Sequence, residues 1–196
     1  MTTTLIGQRV VLRPLVVEDF PAWSEVRTRN ADWLLKWEPQ RSPAAPDPVT
    51  SRDAFAVRCG ARQRERQLGT GYGYGIFVDG HFSGEINLSI VQRGPFQSCY
   101  VGYWIDEARA GNGYMPEALV LMCKLAFEDL HLHRVQVSII PRNTASRRVV
   151  EKLDIRDEGV AQRYLEINGT WEDHIRYAMT AEEWDLRRED LLATWC

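Results

Sequence analysis

The apolar residues of QRVVLRPL open the chain as a strand running to about Leu12, and Pro14 ends it because a proline nitrogen cannot donate to a strand ladder. Asp19 is the expected cap of a following helix, with Pro21 in the first turn, where a missing amide hydrogen costs little. The next stretch, EPQRSPAAPDPVTSRD, carries Pro39, Pro43, Pro46 and Pro48, which neither a helix nor a central strand accommodates. It reads as a loop, after which Thr50 or Ser51 caps a helix through AFAVRCGARQRERQ. A linker between domains is the competing reading, but the segment before it is too short to fold by itself.

The period then changes. YGYGIFVDGHFSGEINLSIV alternates on either side of Asp79-Gly80, a dipeptide suited to a two-residue hairpin turn, and SCYVGYWID adds a further strand rich in aromatic and β-branched residues. From Pro116 to about Leu130, apolar residues at Leu119, Met122, Cys123, Ala126, Phe127 and Leu130 keep helical spacing, with Lys124, Glu128 and Asp129 elsewhere. HRVQVSII sets Val135, Val137 and Ile139 on one strand face. Asn143 is placed to cap a helix in NTASRRVVEKL, with Val149, Val150 and Leu153 inward, and RYLEINGTWEDHIRYAMT is a hairpin about Asn168-Gly169. This order predicts an α/β fold: one mixed sheet with helices on both faces.

Composition narrows the class. A chain of 196 residues, 44% hydrophobic and 26% charged, buries a sizeable core and reads as one domain over residues 1–196. A net charge of -3 offers no basic stripe for a nucleic-acid backbone, so no nucleic-acid partner is expected. The N-terminus lacks a signal-peptide pattern, and the longest apolar run, ALVLMC, stops at Lys124, so no membrane segment is expected. Cys59, Cys99, Cys123 and Cys196 have no metal-ligand spacing and read as reduced thiols of a cytoplasmic protein. His131 and His133 lack a third ligand nearby, and no metal is expected.

The stretch ARAGNGYMPEAL, Ala108 to Leu119, is where chemistry enters. A dinucleotide fingerprint needs a third glycine where Pro116 stands, and a Walker loop needs a Gly-Lys-Ser/Thr that is absent. What remains is a strand ending near Ile105, a loop in which Gly111 and Gly113 permit left-handed torsions, and a helix beginning near Pro116. Several free amides and the positive end of a helix then face one point, a nest suited to a pyrophosphate. An ordinary tight strand-to-helix turn is the competing reading.

The second half of the chain, strand, glycine loop, amphipathic helix, strand and Asn-led helix, resembles the GNAT acyl-CoA-dependent N-acetyltransferases. Their loop pattern, Gln/Arg-x-x-Gly-x-Gly/Ala, falls on Ala110 to Met115 with Gly113 at the central glycine; Ala110 replaces Gln/Arg and Met115 replaces Gly/Ala. The resemblance sharpens toward the RimJ and RimL group of ribosomal-protein alanine/serine N-acetyltransferases in RVVLRPLVVED, LLKWEP, YVGYWIDEARAGNGYMPEAL, NTASRRVVEKL and RYLEINGTWEDHIRYAM. That group also contains acetyltransferases for other proteins, peptides and antibiotics. In EKLDIRDEG, Asp154 stands where the group reads glycine; if it closes the helix in a left-handed conformation, it costs on the order of 1 kcal/mol.

The resemblance implies a mostly antiparallel sheet that splays to form an acetyl-CoA cleft. The diphosphate would lie on the loop of Ala110, Gly111, Asn112, Gly113, Tyr114 and Met115, and the pantetheine would run along the backbone of Trp104 and Ile105 beside Asn143. A primary amine would attack the thioester directly. For the base, Glu85 is the first choice, a carboxylate on a largely apolar strand, with Glu166 and Glu38 as rivals; a solvent-facing strand residue is the competing reading of Glu85. Many GNAT enzymes protonate the leaving thiolate with a tyrosine where this chain has Val150; in the RimJ and RimL group a serine takes that role and falls on Ser146. Trp37, Glu38, Tyr103 and Glu166 are the residues expected around the acceptor. The acceptor is expected to be a protein N-terminus, a ribosomal protein among the candidates, with a small amine or antibiotic as the alternative. A noncatalytic acyl-CoA-binding module is a third reading, and a monomer or homodimer is expected.

Overall fold

The computed structural model describes residues 4–42 and 44–196, so Pro43 of the proline-rich loop lies outside the described residues. The strands are β1 (Leu5–Ile6), β2 (Val10–Arg13), β3 (Tyr72–Val78), β4 (His81–Gln92), β5 (Ser98–Ile105), β6 (Arg134–Ile139), β7 (Arg156–Ile167) and β8 (Thr170–Thr180). They form one sheet in the order β1-β2-β3-β4-β5-β6-β8-β7, antiparallel at every step except β5 against β6. Both predicted hairpin turns are present: Asp79 and Gly80 have φ of 51° and 77°, and Asn168 and Gly169 have 47° and 78°. Two consecutive left-handed residues match the twist of the flanking strands.

The period-2 alternation sorts side chains onto two faces. Ile76 and Val78 face one core with Val10, Leu12, Ile86 and Leu88, packed under α4 (Tyr114–Lys124). Phe77 faces a second core with Phe82, Trp23 of α1 (Phe20–Arg29) and Phe55 of α3 (Arg52–Leu68). Trp23 and Phe55 pack with their rings tilted by 40° and centroids 4.8 Å apart. A short α2 (Ala31–Leu34) follows α1. In α4 the residues from Met115 to Cys123 are all buried, so the helix runs through the core as its central rod.

Several expectations shift. The helix predicted from Pro116 begins two residues earlier at Tyr114, and beyond Lys124 it continues as a π-helical turn, Leu125–Asp129. Asp19 does not cap α1 with its side chain; its carboxylate accepts instead from Arg13 at 2.7 and 2.8 Å and from the Val16 amide at 2.9 Å. The guanidinium offers a charge-assisted bidentate pair, which outcompetes a single helix amide. Ser51, rather than Thr50, caps α3 by accepting from the Ala54 amide. A final helix, α6 (Ala181–Trp195), lies beyond the last predicted element; its Trp184 is 1% exposed and stacks on Phe127.

The one parallel step positions the site. β5 and β6 pair only at Ser98, Cys99 and Tyr100 against Arg134, Val135 and Gln136, although β5 runs on to Ile105 and β6 to Ile139. Beyond Tyr100 the two strands part, and α5 (Thr144–Lys152) follows β6 along the far side of the opening.

Candidate active site

A cleft of about 1410 Å³ occupies the gap. At one end lies the glycine loop. Gly111 and Gly113 have φ of 82° and 86°, and Gly113 is the N-cap of α4. The Ala110 amide is spent on the Glu107 carbonyl, and the next backbone bond is Glu117 to Gly113. The five amides from Gly111 to Met115 therefore have no backbone acceptor among the described residues. Pro116, inside the first turn, has no hydrogen to orphan. Gly111, Gly113, Tyr114 and Met115 line the cleft. An array of unsatisfied N–H groups at the positive end of a buried helix is suited to an anion, and these donors are main-chain groups that do not depend on the side chain at Ala110. Asn112 closes the loop from behind by donating to the carbonyls of Arg109 and Ala110.

On the α5 side, Asn143 caps the helix by accepting from the Ser146 amide at 3.2 Å and also lines the cleft. Ser146 Oγ donates to the Tyr103 hydroxyl at 3.1 Å, and that hydroxyl donates to the Ser146 carbonyl at 3.2 Å. Burial pushes the Tyr103 phenol up, against the opposing hydrogen bond from Ser146, so the ring stays neutral. Val150, where a tyrosine was the alternative, is fully buried in the core. Arg148 and Lys152, one turn apart on α5, also line the cleft, and neither has an acidic partner among the described residues. The reading of the sequence missed them; their i, i+4 spacing on the polar face of NTASRRVVEK was the available signal.

The far half of the cleft is aromatic, lined by Trp23, Trp33, Trp37 and Trp104. Glu85 sits among them. Its Oε1 accepts from Trp23 Nε1 at 2.9 Å, and its Oε2 from Arg58 at 2.6 Å and Trp104 Nε1 at 3.2 Å. Glu38 is held bidentately by Arg27 at 2.6 and 2.7 Å. Asp47, the third cleft carboxylate, pairs with Arg41 at 2.6 Å. Arg27 also lies 5.1 Å from the Trp104 ring centroid, so one guanidinium ties loop, helix and strand together. Trp37 is half-buried beneath Lys36 and Arg142, each within 5.4 Å of its ring centroid.

Trp33 Nε1 donates to the Ile105 carbonyl at 3.2 Å, on the stretch of β5 expected to meet the pantetheine. Behind that stretch, Asp106 is buried between Arg29 and Asn30, which hold its carboxyl low against the opposing effect of burial. Glu166 is not brought to the cleft: it is exposed on β7, opposite Trp171, while Ile167 turns inward. Asn168, two residues on, is the part of that hairpin that reaches the opening, donating its amide to the Glu38 carbonyl.

A family model of the GNAT acetyltransferase domain matches residues 9–156. Over 87% of this chain and 93% of the relative, the sequence is 33% identical to a probable N-acetyltransferase of Bacillus subtilis. It is 32% identical, over 92% of each chain, to the ribosomal protein uS5 alanine N-acetyltransferase of Escherichia coli. The solved structure of Mycobacterium smegmatis RimJ in complex with CoA-disulfide superimposes with a TM-score of 0.90, covering 100% of this chain and 98% of that one at 31% identity. With the splayed sheet and the open amide nest already in view, these likenesses settle the family: the chain belongs to the GNAT acetyltransferases.

Proposed function

We propose that the protein transfers the acetyl group of acetyl-CoA to the N-terminal α-amine of a protein. The observation that carries the first half is the run of free amides from Gly111 to Met115 at the cleft end of α4, which suits the diphosphate; Arg148 and Lys152 supply the cationic surroundings for phosphate. Pantetheine then runs along the open edge of β5 past Ile105, with Asn143 and Ser146 beside the thioester.

The acceptor half favours a single amine over a polycation. Each carboxylate lining it, Glu38, Asp47 and Glu85, already has an arginine partner, so no spare negative charge is available to hold the several ammonium groups of a polyamine or aminoglycoside. An aromatic trough with paired charges suits a peptide end, and the alanine N-acetyltransferase activity named for the Escherichia coli relative agrees with this.

The chemistry asks little of the protein. An α-amine has a pKa of about 8, so roughly a tenth of it is already free at pH 7 and the remaining proton is easily removed. Two carboxylate oxygens offer about four lone-pair sites, of which Glu85 uses three on Trp23, Arg58 and Trp104. The fourth can accept from a water that takes the amine proton while passing one of its own protons to the Glu85 carboxylate. Ser146 turns its one hydroxyl hydrogen from Tyr103 to the departing thiolate, while the Tyr103 hydroxyl keeps its bond to the Ser146 carbonyl. No acyl-enzyme on cysteine is invoked: none of the four thiols lines the cleft, and burial pushes Cys196 up to about 11 and Cys99 up to about 12.

Acetyl-CoA turnover on peptides beginning with Ala or Ser, beside a panel of polyamines and aminoglycosides, tests the reading. Peptides are expected to be the better substrates. Glu85→Gln and Ser146→Ala are each expected to lower kcat by about a hundredfold with CoA affinity retained. Preferred turnover of the small amines would overturn the acceptor assignment. Full activity in both variants would overturn the residue roles, and CoA binding without any turnover would leave a binding module.

A further inference from the structure

We propose that Arg9, far from the loop in sequence and outside the cleft, is a positioning residue that aims the Gly113 amide at the diphosphate; this rests on the reading of residues Gly111 to Met115 as the diphosphate site. Glu117 is the anchor. Its carboxylate is fully buried in the first turn of α4, and it accepts from the Arg9 amide at 2.7 Å, the Val10 amide at 3.0 Å and Arg9 Nε at 3.0 Å. The chain before β2 wraps so closely that a Cβ on Gly7 would stand 2.5 Å from Glu117 Oε1. A buried carboxylate satisfied by two main-chain amides and one guanidinium fixes the arginine's direction, because losing the guanidinium leaves its charge uncompensated in the core and losing either amide leaves a buried lone pair unsatisfied.

Held in this way, Arg9 extends Nη1 to the Asn112 carbonyl at 2.9 Å. The peptide joining Asn112 to Gly113 is planar and trans, so its carbonyl and its N–H point in opposite directions. Gripping the carbonyl from behind therefore turns the Gly113 N–H toward the other side. That other side is the cleft: Gly111, Gly113 and Tyr114 line it, whereas Arg9 and Asn112 do not. Both flanking residues are consistent with this wedge. The guanidinium carbon lies 5.2 Å from the Tyr114 ring centroid, and a Cβ on Gly113 would come within 3.1 Å of Arg9 Nη2. A glycine with φ of 86° is free to rotate its peptide, and the arginine removes that freedom.

The test compares two acyl donors, acetyl-CoA and S-acetylpantetheine, which lacks the diphosphate. The ratio of their kcat/KM values on one preparation does not depend on the fraction folded, so a merely structural role leaves it unchanged. Arg9→Ala is expected to lower the preference for acetyl-CoA about tenfold, through KM for acetyl-CoA more than through kcat. Arg9→Lys keeps the charge but cannot span Glu117 and Asn112 together, and is expected to lose most of the same preference. Full recovery by lysine would assign the effect to charge and overturn positioning. An unchanged ratio in Arg9→Ala, with a lowered one in Gly113→Ala, would overturn the role of Arg9 and leave the loop reading intact. Unchanged ratios in both variants would overturn the loop reading itself.

Discussion

Asp154 holds a left-handed conformation, φ 48°, just past the end of α5. Two backbone bonds close the helix over it: its own amide to the Glu151 carbonyl at 3.0 Å, and the Ile155 amide to the Val150 carbonyl at 3.0 Å. A side chain there costs about 1 kcal/mol relative to glycine. The aspartate returns little, since its carboxylate is 95% exposed and 3.8 Å from Arg187, whose firmer bonds go to the carbonyls of Leu153 and Asp154. Asp154→Gly is expected to raise the unfolding free energy by roughly 0.5 to 1 kcal/mol, seen as a higher denaturant midpoint at unchanged slope. A lower midpoint would show that the aspartate side chain stabilises the turn. The strain was legible because it depends on one residue and its neighbours. The partners of Glu85 were not: Trp23 and Arg58 come from two helices remote in sequence, and a strand carboxylate carries no mark of which donors will meet it.

Elements were legible in proportion to how local their signals are. The Asp79-Gly80 and Asn168-Gly169 turns specify their hairpins alone, and the β-branched and aromatic strands between them followed. α6 escaped although Thr180 and Glu183 form a reciprocal capping box at its start. Its buried apolar residues, Trp184 and Leu191, are two turns apart, too sparse a stripe to register as a helix period, and Leu186 between them is exposed. Its attachment is partly ionic. Glu158 of β7 accepts from Arg134 of β6 and from Arg156, and Arg156 also reaches Glu183 of α6. Arg134 first, and Arg156 after it, hold the Glu158 carboxyl down at about 2 despite some desolvation. A depressed folded pKa stabilises the protein above the unfolded value of 4.5, and the contribution is lost as pH falls toward 2. Glu158→Gln is thus expected to lower Tm at pH 7 by an amount that persists to about pH 4.5 and closes as pH approaches 2. A gap that stays constant down to pH 2 would show that the ion pairs are not its source.

At the scale of the whole molecule, net charge concealed what matters. The formal charge of -3 weighs against a nucleic-acid partner, yet the cleft gathers Arg109, Arg148 and Lys152 at the end where the phosphates are proposed to lie and pairs its acids with arginine at the other. The division of labour follows from the topology. One parallel step opens the sheet, a buried helix turns its free amides into the opening, and Trp23 of α1, Trp33 of α2 and Trp37 just beyond it line the proposed acceptor end. Among the described residues no helix is long and apolar enough to cross a membrane. The most direct test of the account is tandem mass spectrometry of a peptide that begins with alanine and contains an internal lysine, after incubation with the protein and acetyl-CoA. The acetyl group is expected on the α-amine alone; acetylation confined to the lysine side chain, or an unmodified peptide, would contradict it.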